Sequence, residues 1–259
     1  MMIMKVLKQF MITLIVCLAI LSPVHAYQAI IFDCDGVLVD TEHLKFLAWQ
    51  QALVNFKVEL QESDYLPLVG YSSNAIATAI KKQKNHDFND EDVITQKNKI
   101  YVLLQKQGVP LLDEAVNFLK LIITQKKTLG IKIAIVSSAP HREILENLRQ
   151  LGIPPTDFEA ILSGSDDLKH IHDPQGTNKP KPYIYQLAAQ TLGVQARDCL
   201  VFEDSGAGVI AAAQAGMNVI AIPNAYTSTH DFSLALKIAT FSEIDLKFIQ
   251  KTKVNGDEH

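Results

Sequence analysis

The sequence predicts an α/β fold in which strands alternate with helices, interrupted once by a smaller all-helical insert. Three observations lead there. Five short runs of β-branched and aromatic residues each end in polar or small residues, and helical patterns separate them. The one long break in this alternation is His43 to about Gln107, where helical stripes follow one another with no strand signal. The length of 259 residues, with 48% apolar and 20% charged, holds one α/β domain of ordinary size plus a small insert.

The first run, Ala29-Ile30-Ile31-Phe32, has no helical period and reads as a buried strand. Asp33 and Asp35 follow it, and in extended backbone residues two apart share a face. Both acids therefore reach one small volume at the carboxyl end of the strand, where open α/β sheets bind ligands. Gly36 permits a sharp turn straight afterwards. Two crowded carboxylates repel, and a hard divalent cation such as Mg²⁺ relieves that repulsion. A carboxylate can also attack phosphorus, so the pair suits a division between a nucleophile and a proton shuttle. Taken alone, a D-x-D is more often a pair of surface acids in a turn, and the rest of the sequence reverses that.

In the insert, Leu44, Leu47, Ala48, Gln51, Ala52 and Phe56 form a 3.6-residue stripe. A turn near Leu66-Pro67 and Gly70 precedes a second helical stretch, Ser73 to Lys84. A polar loop with Asn89 or Asp90 as N-cap opens a third, running through Tyr101 to Leu104. The core resumes at Pro110, with a helix over Leu112–Thr124 and a second strand over Ile131–Val136. That strand ends in Ser137-Ser138, whose hydroxyls and following amides can hold a phosphate oxygen ahead of a helix over Arg142–Leu151. A third strand spans Phe158–Ser163, and the loop 164–178 after it carries His170, His172 and Asp173. Those three are either a metal site or solvated loop residues. Lys179-Pro180-Lys181-Pro182 opens the next helix, and a fourth strand, Cys199–Phe202, runs into Glu203-Asp204 before an alanine-rich helix over Val209–Ala215. The fifth strand is Val219–Ile222, and the tail after Ile249 reads as polar and frayed. Cys34 and Cys199 sit too far apart along neighbouring parallel strands for a disulfide, so both are expected as free thiols.

Asp33, Asp35, Gly36, Leu38, Asp40 and Thr41 resemble the first motif of the haloacid dehalogenase superfamily, D-x-D-G-x-[LV]-x-D-[ST]. Ser137 falls in the phosphate-binding place of its second motif, with Ser138 beside it. Lys179 to Tyr185 is similar to the third, K-P-x-P-[DE]-x-[FY], with Tyr183 standing where the acid is usual. Glu203 to Gly216 is similar to the fourth, matched through Ala211, Ala212 and Ala215. The resemblance covers Ala29 to Gly216 and implies a Rossmann-like parallel sheet core, residues 27–42 and 108–259, with a small α-helical cap over 43–107 that closes on the site. It implies Asp33 as nucleophile, Asp35 as general acid/base and Lys179 as the cation facing nucleophile and phosphate. Mg²⁺ is implied as cofactor, held by Asp33, Asp35 through its backbone carbonyl, Asp204 and Glu203. Lys181 is the rival cation, and the register of the prolines favours Lys179. Cap residues Lys45, Tyr71, Ser72 and Lys97 are expected to face the leaving group.

Within the superfamily the second acid points to phosphoryl transfer, since a departing alcohol needs a proton and a halide does not. The style of the motifs is similar to phosphoglycolate phosphatase-like and beta-phosphoglucomutase-like proteins. The mutase pattern is weakened by Lys45 at the place of its cap histidine and Ser73 at that of its cap arginine. A phosphatase of a small phosphorylated metabolite is therefore expected, a mutase is the second reading, and a silent binding protein is the third.

Lys5 and Lys8, then Phe10–Leu21, then Ser22 to Ala26 have the layout of a secretory signal peptide, residues 1–26. Export to the periplasm or medium is expected, without stable membrane association after cleavage; an uncleaved anchor and a cytoplasmic protein with a misassigned start are the alternatives. The net charge of −4 and the lack of a basic stripe exclude a nucleic-acid-binding surface. Oligomeric state is left open by the sequence.

Overall fold

The computed structural model describes residues 26–251. The signal segment up to residue 25 and the tail from residue 252 lie outside the described residues. Two compact units divide the chain: Gln28–Ile244, which carries the sheet, and a terminal unit whose described part includes a short helix at Leu246–Lys251. Among the described residues no helix is long and apolar enough to cross a membrane.

Six parallel strands form one sheet in the order β3-β2-β1-β4-β5-β6. They are β1 (Ala29–Phe32), β2 (Lys132–Ser137), β3 (Ala160–Ser163), β4 (Cys199–Glu203), β5 (Asn218–Ala221) and β6 (Lys237–Ile238). The helices are α1 (Glu42–Val54), α2 (Glu62–Tyr65), α3 (Ser73–Lys84), α4 (Asp90–Lys106), α5 (Asp113–Leu129), α6 (His141–Leu151), α7 (Tyr183–Leu192), α8 (Gly206–Gln214) and α9 (Leu246–Lys251). β1 and its neighbours β2 and β4 are buried on both faces apart from Lys132, which is why they read as apolar runs. Ala29, Ile31, Ala134, Val136 and Val201 pack against Ile184, Ala188, Val209 and Ala212 from α7 and α8. On the opposite face Phe32 and Phe202 stack 5.1 Å apart and meet Phe118 of α5 and Phe241.

Register places the chemistry. Phe32 lies level with Ile135 and Phe202, so the residues after β1 and β4 leave the sheet side by side. The Asp33 N–H still donates to the Phe202 carbonyl at 3.0 Å, which fixes the first acid beside Glu203. Because Ala29 is level with Cys199, Cys34 lies five residues further along its strand, and both thiols are free and buried.

Residues 43–107 carry helices and no strand, and α1, α3 and α4 enclose an apolar cluster of their own built on Trp49, Leu53, Ile76, Ile80 and Val93. The segment leaves and rejoins the core at one place. Asp40 N–H donates to the Pro110 carbonyl at 2.8 Å, Leu112 N–H to the Leu38 carbonyl at 3.2 Å, and Val39 bridges Leu111 antiparallel.

Some boundaries differ from the sequence reading. The strand expected over Phe158–Ser163 starts at Ala160, because the Glu159 carboxylate takes the Ile133 N–H at 2.7 Å. The helix expected to end at Thr124 continues to Leu129, stopped by Gly130 in the left-handed conformation at φ 66°. The two-residue β6 was not expected.

Candidate active site

Three buried carboxylates meet at the rim: Asp33 after β1, and Glu203 and Asp204 at the end of β4. Each offers an oxygen within 4.8 Å of the others. One cation stands against them. Lys179 Nζ lies 2.6 Å from Asp33 Oδ1 and 2.5 Å from Glu203 Oε1, and donates to the Val136 carbonyl at 3.3 Å. Lys179 is delivered by the turn before α7, through a cis peptide to Pro180. Lys181, the rival, instead reaches Gln175 at 2.8 Å and Asp173 at 3.4 Å, away from the acids.

One ammonium cannot offset three crowded acids. Burial, then the charges of Glu203 and Asp35, push Asp33 up to about 8 despite the pull of Lys179. Burial and the charges of Glu203 and Asp33 likewise hold Asp204 well above the usual carboxylate range. Burial works against the Lys179 charge, yet Asp33 and Glu203 keep its affinity for the proton above that of a free lysine. An all-oxygen donor set with surplus negative charge fits a hard divalent cation.

The surroundings of these groups are specific. Glu203, with 0% exposure, gives Oε1 to both Lys179 and the Tyr185 hydroxyl (2.6 Å), while Oε2 takes the Ser205 hydroxyl at 3.2 Å. Asn224 Nδ2 donates to Asp204 Oδ2 at 2.8 Å and to the Gly36 carbonyl at 3.2 Å. Gly36 is required twice over: its φ is +84°, and a Cβ there would collide with the Asp204 carboxylate.

Asp35 points elsewhere. Its Oδ1 accepts from the Thr41 hydroxyl at 2.7 Å and Asn147 Nδ2 at 3.3 Å, and its Oδ2 from the Ser137 hydroxyl at 3.1 Å, with Lys45 Nζ 3.4 Å away. Burial pushes its pKa upward, but the Lys45 charge and the Thr41 and Ser137 hydrogen bonds outweigh it and hold the carboxyl below the usual range. The side chain of Asp35 is thus not among the clustered carboxylates.

Lys45 is paired with Glu42 Oε1 at 2.7 Å, and Tyr65 donates to the other oxygen of Glu42 at 2.9 Å. Ser138 donates to Asn178 Oδ1 at 3.0 Å and to the Gly70 carbonyl at 3.3 Å, a contact between the rim and the helical segment. At Gly70, φ is +89° and a Cβ would strike Ser205. Lys45, Tyr71, Ser73, Lys97, Ser137 and Ser138 all line the same pocket as Asp33. Ser72, expected there, instead caps α3 by accepting from the Ala75 N–H at 3.3 Å. His170, His172 and Asp173 form no cluster among the described residues. Asp173 accepts from the Tyr183 hydroxyl at 3.0 Å.

Sequence reading missed Glu42, Asn147, Tyr185 and Asn224. Asn147 had a readable signal: with Glu143 it lies on the face of α6 that Ile144, Leu148 and Leu151 bury, and a buried amide there needs partners. The other three acquire meaning only from distant contacts.

A family model described as haloacid dehalogenase-like hydrolase matches residues 27–216. A phosphorylated carbohydrates phosphatase from Thermotoga maritima is 32% identical over 74% of this chain and 83% of its own length. A beta-phosphoglucomutase from Bacillus subtilis is 29% identical over 75% of this chain and 83% of its own. Among solved structures, CbbY from Rhodobacter sphaeroides in complex with phosphate superposes with a TM-score of 0.71 at 25% identity, covering 84% of this chain and 96% of that one.

Proposed function

Because the chain belongs to the haloacid dehalogenase-like hydrolase family, we propose that it is a Mg²⁺-dependent phosphatase of small phosphomonoesters, working through an aspartyl-phosphate on Asp33. The observation that carries this reading is the contact of Lys179 Nζ with Asp33 Oδ1 at 2.6 Å, beside Glu203 and Asp204 and in one pocket with Asp35 and Ser137.

Asp33 attacks phosphorus in line as the bond to the leaving alcohol breaks. Asp35 gives that alcohol its proton, then removes one from the water that hydrolyses the acyl phosphate. Being ionised in the free protein, it is in the state that can accept a proton in the second task. For the first, an incoming phosphate competes for the Ser137 hydroxyl, which weakens one of the contacts holding Asp35 ionised. Lys179 and the hydroxyls of Ser137 and Ser138 hold the phosphate oxygens. Mg²⁺ bound by Asp33, Asp204 and Glu203, with the Asp35 carbonyl, would neutralise charge on the transferring group. Residues 43–107 serve as the cap, with Lys45 and Lys97 toward the leaving group.

Hydrolysis of p-nitrophenyl phosphate that needs Mg²⁺ and stops with EDTA is the direct test. No turnover with Mg²⁺ present returns the chain to the silent-binding reading. The beta-phosphoglucomutase relative keeps a mutase reading in view; glucose 6-phosphate rather than free phosphate from beta-glucose 1-phosphate and its bisphosphate would favour it. Metal affinity should also depend on pH. Binding requires the ionised acids, and Asp33 in the free protein releases its proton only near pH 8. Mg²⁺ affinity measured by calorimetry should therefore rise from about pH 6 to about pH 8; a flat profile would count against a shared carboxylate site. Export is proposed on the N-terminal segment, and N-terminal sequencing of the fractionated protein tests it: a start at Tyr27 supports export, and an intact Met1 in the soluble cytoplasmic fraction opposes it.

A further inference from the structure

The pocket between α4 and the rim contains a pair of opposite charges that the phosphoryl chemistry does not use. Lys97 on α4 and Glu143 in the first turn of α6 both line it, at 4% and 2% exposure. Among the described residues no ion pair joins them. Lys97 Nζ makes one long hydrogen bond, 3.4 Å to Asn98 Oδ1, and lies over the rings of Tyr101 and Trp49 at 5.0 and 5.9 Å. Burial depresses its proton affinity. Glu143 Oε1 accepts no hydrogen bond, and the largely exposed Arg142 guanidinium stands 3.5 Å from it.

These positions are built rather than incidental. Val93, Lys97, Tyr101 and Gln105 are the buried stripe of α4, each four residues after the last. Gln105 Nε2 donates to the Glu143 carbonyl at 2.9 Å and to Asn147 Oδ1 at 2.8 Å, which locks α4 to α6. Lys97, two turns back on the same stripe, is thereby held on the side of α4 that faces α6. Buried polar groups are normally satisfied, and an open donor and an open acceptor on one pocket wall are accounted for when a ligand completes both.

We propose that Lys97 and Glu143 form a specificity clamp for a leaving group that carries hydroxyls and no second anionic group. This rests on the phosphatase reading above. A hydroxyl is both donor and acceptor, so neighbouring hydroxyls can take a proton from Lys97 and give one to Glu143, with the ring of Trp49 as an apolar wall. A carboxylate or second phosphate would satisfy Lys97 but meet Glu143 with like charge. Lys45 cannot compensate, being already balanced by Glu42 and Asp35. Glu143 thus discriminates by repulsion as well as by attraction.

The test is a calorimetric titration of the Asp33→Asn protein with Mg²⁺ present, which reports binding without turnover, using glucose 6-phosphate, phosphoglycolate and fructose 1,6-bisphosphate. Glucose 6-phosphate is expected to bind at least about tenfold more tightly than either doubly anionic ligand. Adding Glu143→Gln should shrink that ratio at least about fivefold by improving the two charged ligands. Where Glu143→Gln fails to fold, Lys97→Gln on the same background should weaken glucose 6-phosphate about tenfold. Equal or tighter binding of a doubly anionic ligand, a ratio untouched by Glu143→Gln, affinity for glucose 6-phosphate untouched by Lys97→Gln, or no binding of any ligand overturns the clamp. Failure of the wild-type protein to hydrolyse p-nitrophenyl phosphate and all three compounds overturns the phosphatase reading instead, whatever the binding ratios.

Discussion

Lys179→Met is expected to lose at least about a thousandfold in turnover of p-nitrophenyl phosphate and about 3–5 kcal/mol of stability near pH 8. Both losses have one origin. Lys179 is 3% exposed and, among the described residues, is the one cation paired with Asp33 and Glu203, at 2.6 and 2.5 Å. Methionine fills the space but leaves buried carboxylates without their counter-charge. Those acids can escape the penalty by taking up protons, so the stability gap to the wild type should narrow toward about pH 5 and widen as pH rises. Urea denaturation at the two pH values reads this directly. A gap that does not change with pH would mean that Lys179 contributes packing and not charge.

Asp33→Asn should behave in the opposite way. The amide keeps the shape but cannot form the acyl phosphate, so turnover should fall at least about a thousandfold. Stability should hold or rise, because one of three crowded acids is gone while Lys179 keeps Glu203 at 2.5 Å. The comparison of thermal midpoints with and without Mg²⁺ checks it, and the gain from Mg²⁺ should shrink as a donor disappears. A midpoint well below the wild type in metal-free buffer would contradict the account of charge crowding.

Most of the rim was readable because the sheet is parallel and buried. Strands covered on both faces appear as unbroken apolar runs, so their ends, and the acids placed there, can be found by inspection. Ser137, Glu203 and Asp204 came into view that way, and Lys179 through its resemblance to the third motif; Ser137, Lys179 and Asp204 line one pocket, and Glu203 clusters with Asp33 and Asp204. What escaped depended on contacts across the chain. Tyr185 looks like an aromatic core residue of α7, and only the fold carries its hydroxyl to Glu203, 18 residues on. Glu42 reads as a first-turn acid of α1, yet it is buried between Lys45 and Tyr65. Glu143 and Asn147 sit a turn apart on a helix whose period is plain, and period alone cannot say what a buried polar residue faces. The last turn of α5 was lost to its Gln-Lys-Lys composition, and β6 to its two-residue length.

The paired backbone contacts at Val39 and Leu111 make residues 43–107 a closed excursion from the core. Because departure and return are stitched at a single point, such a segment can lengthen, shorten or be exchanged wholesale without pulling any strand out of alignment. Selection for new substrates then has a region to rewrite whose ties to the rim are individual side-chain contacts, Lys45 with Asp35, Ser138 with Gly70 and Gln105 with α6 among them. Such a rewrite must keep or replace those contacts while the strands stay where they are.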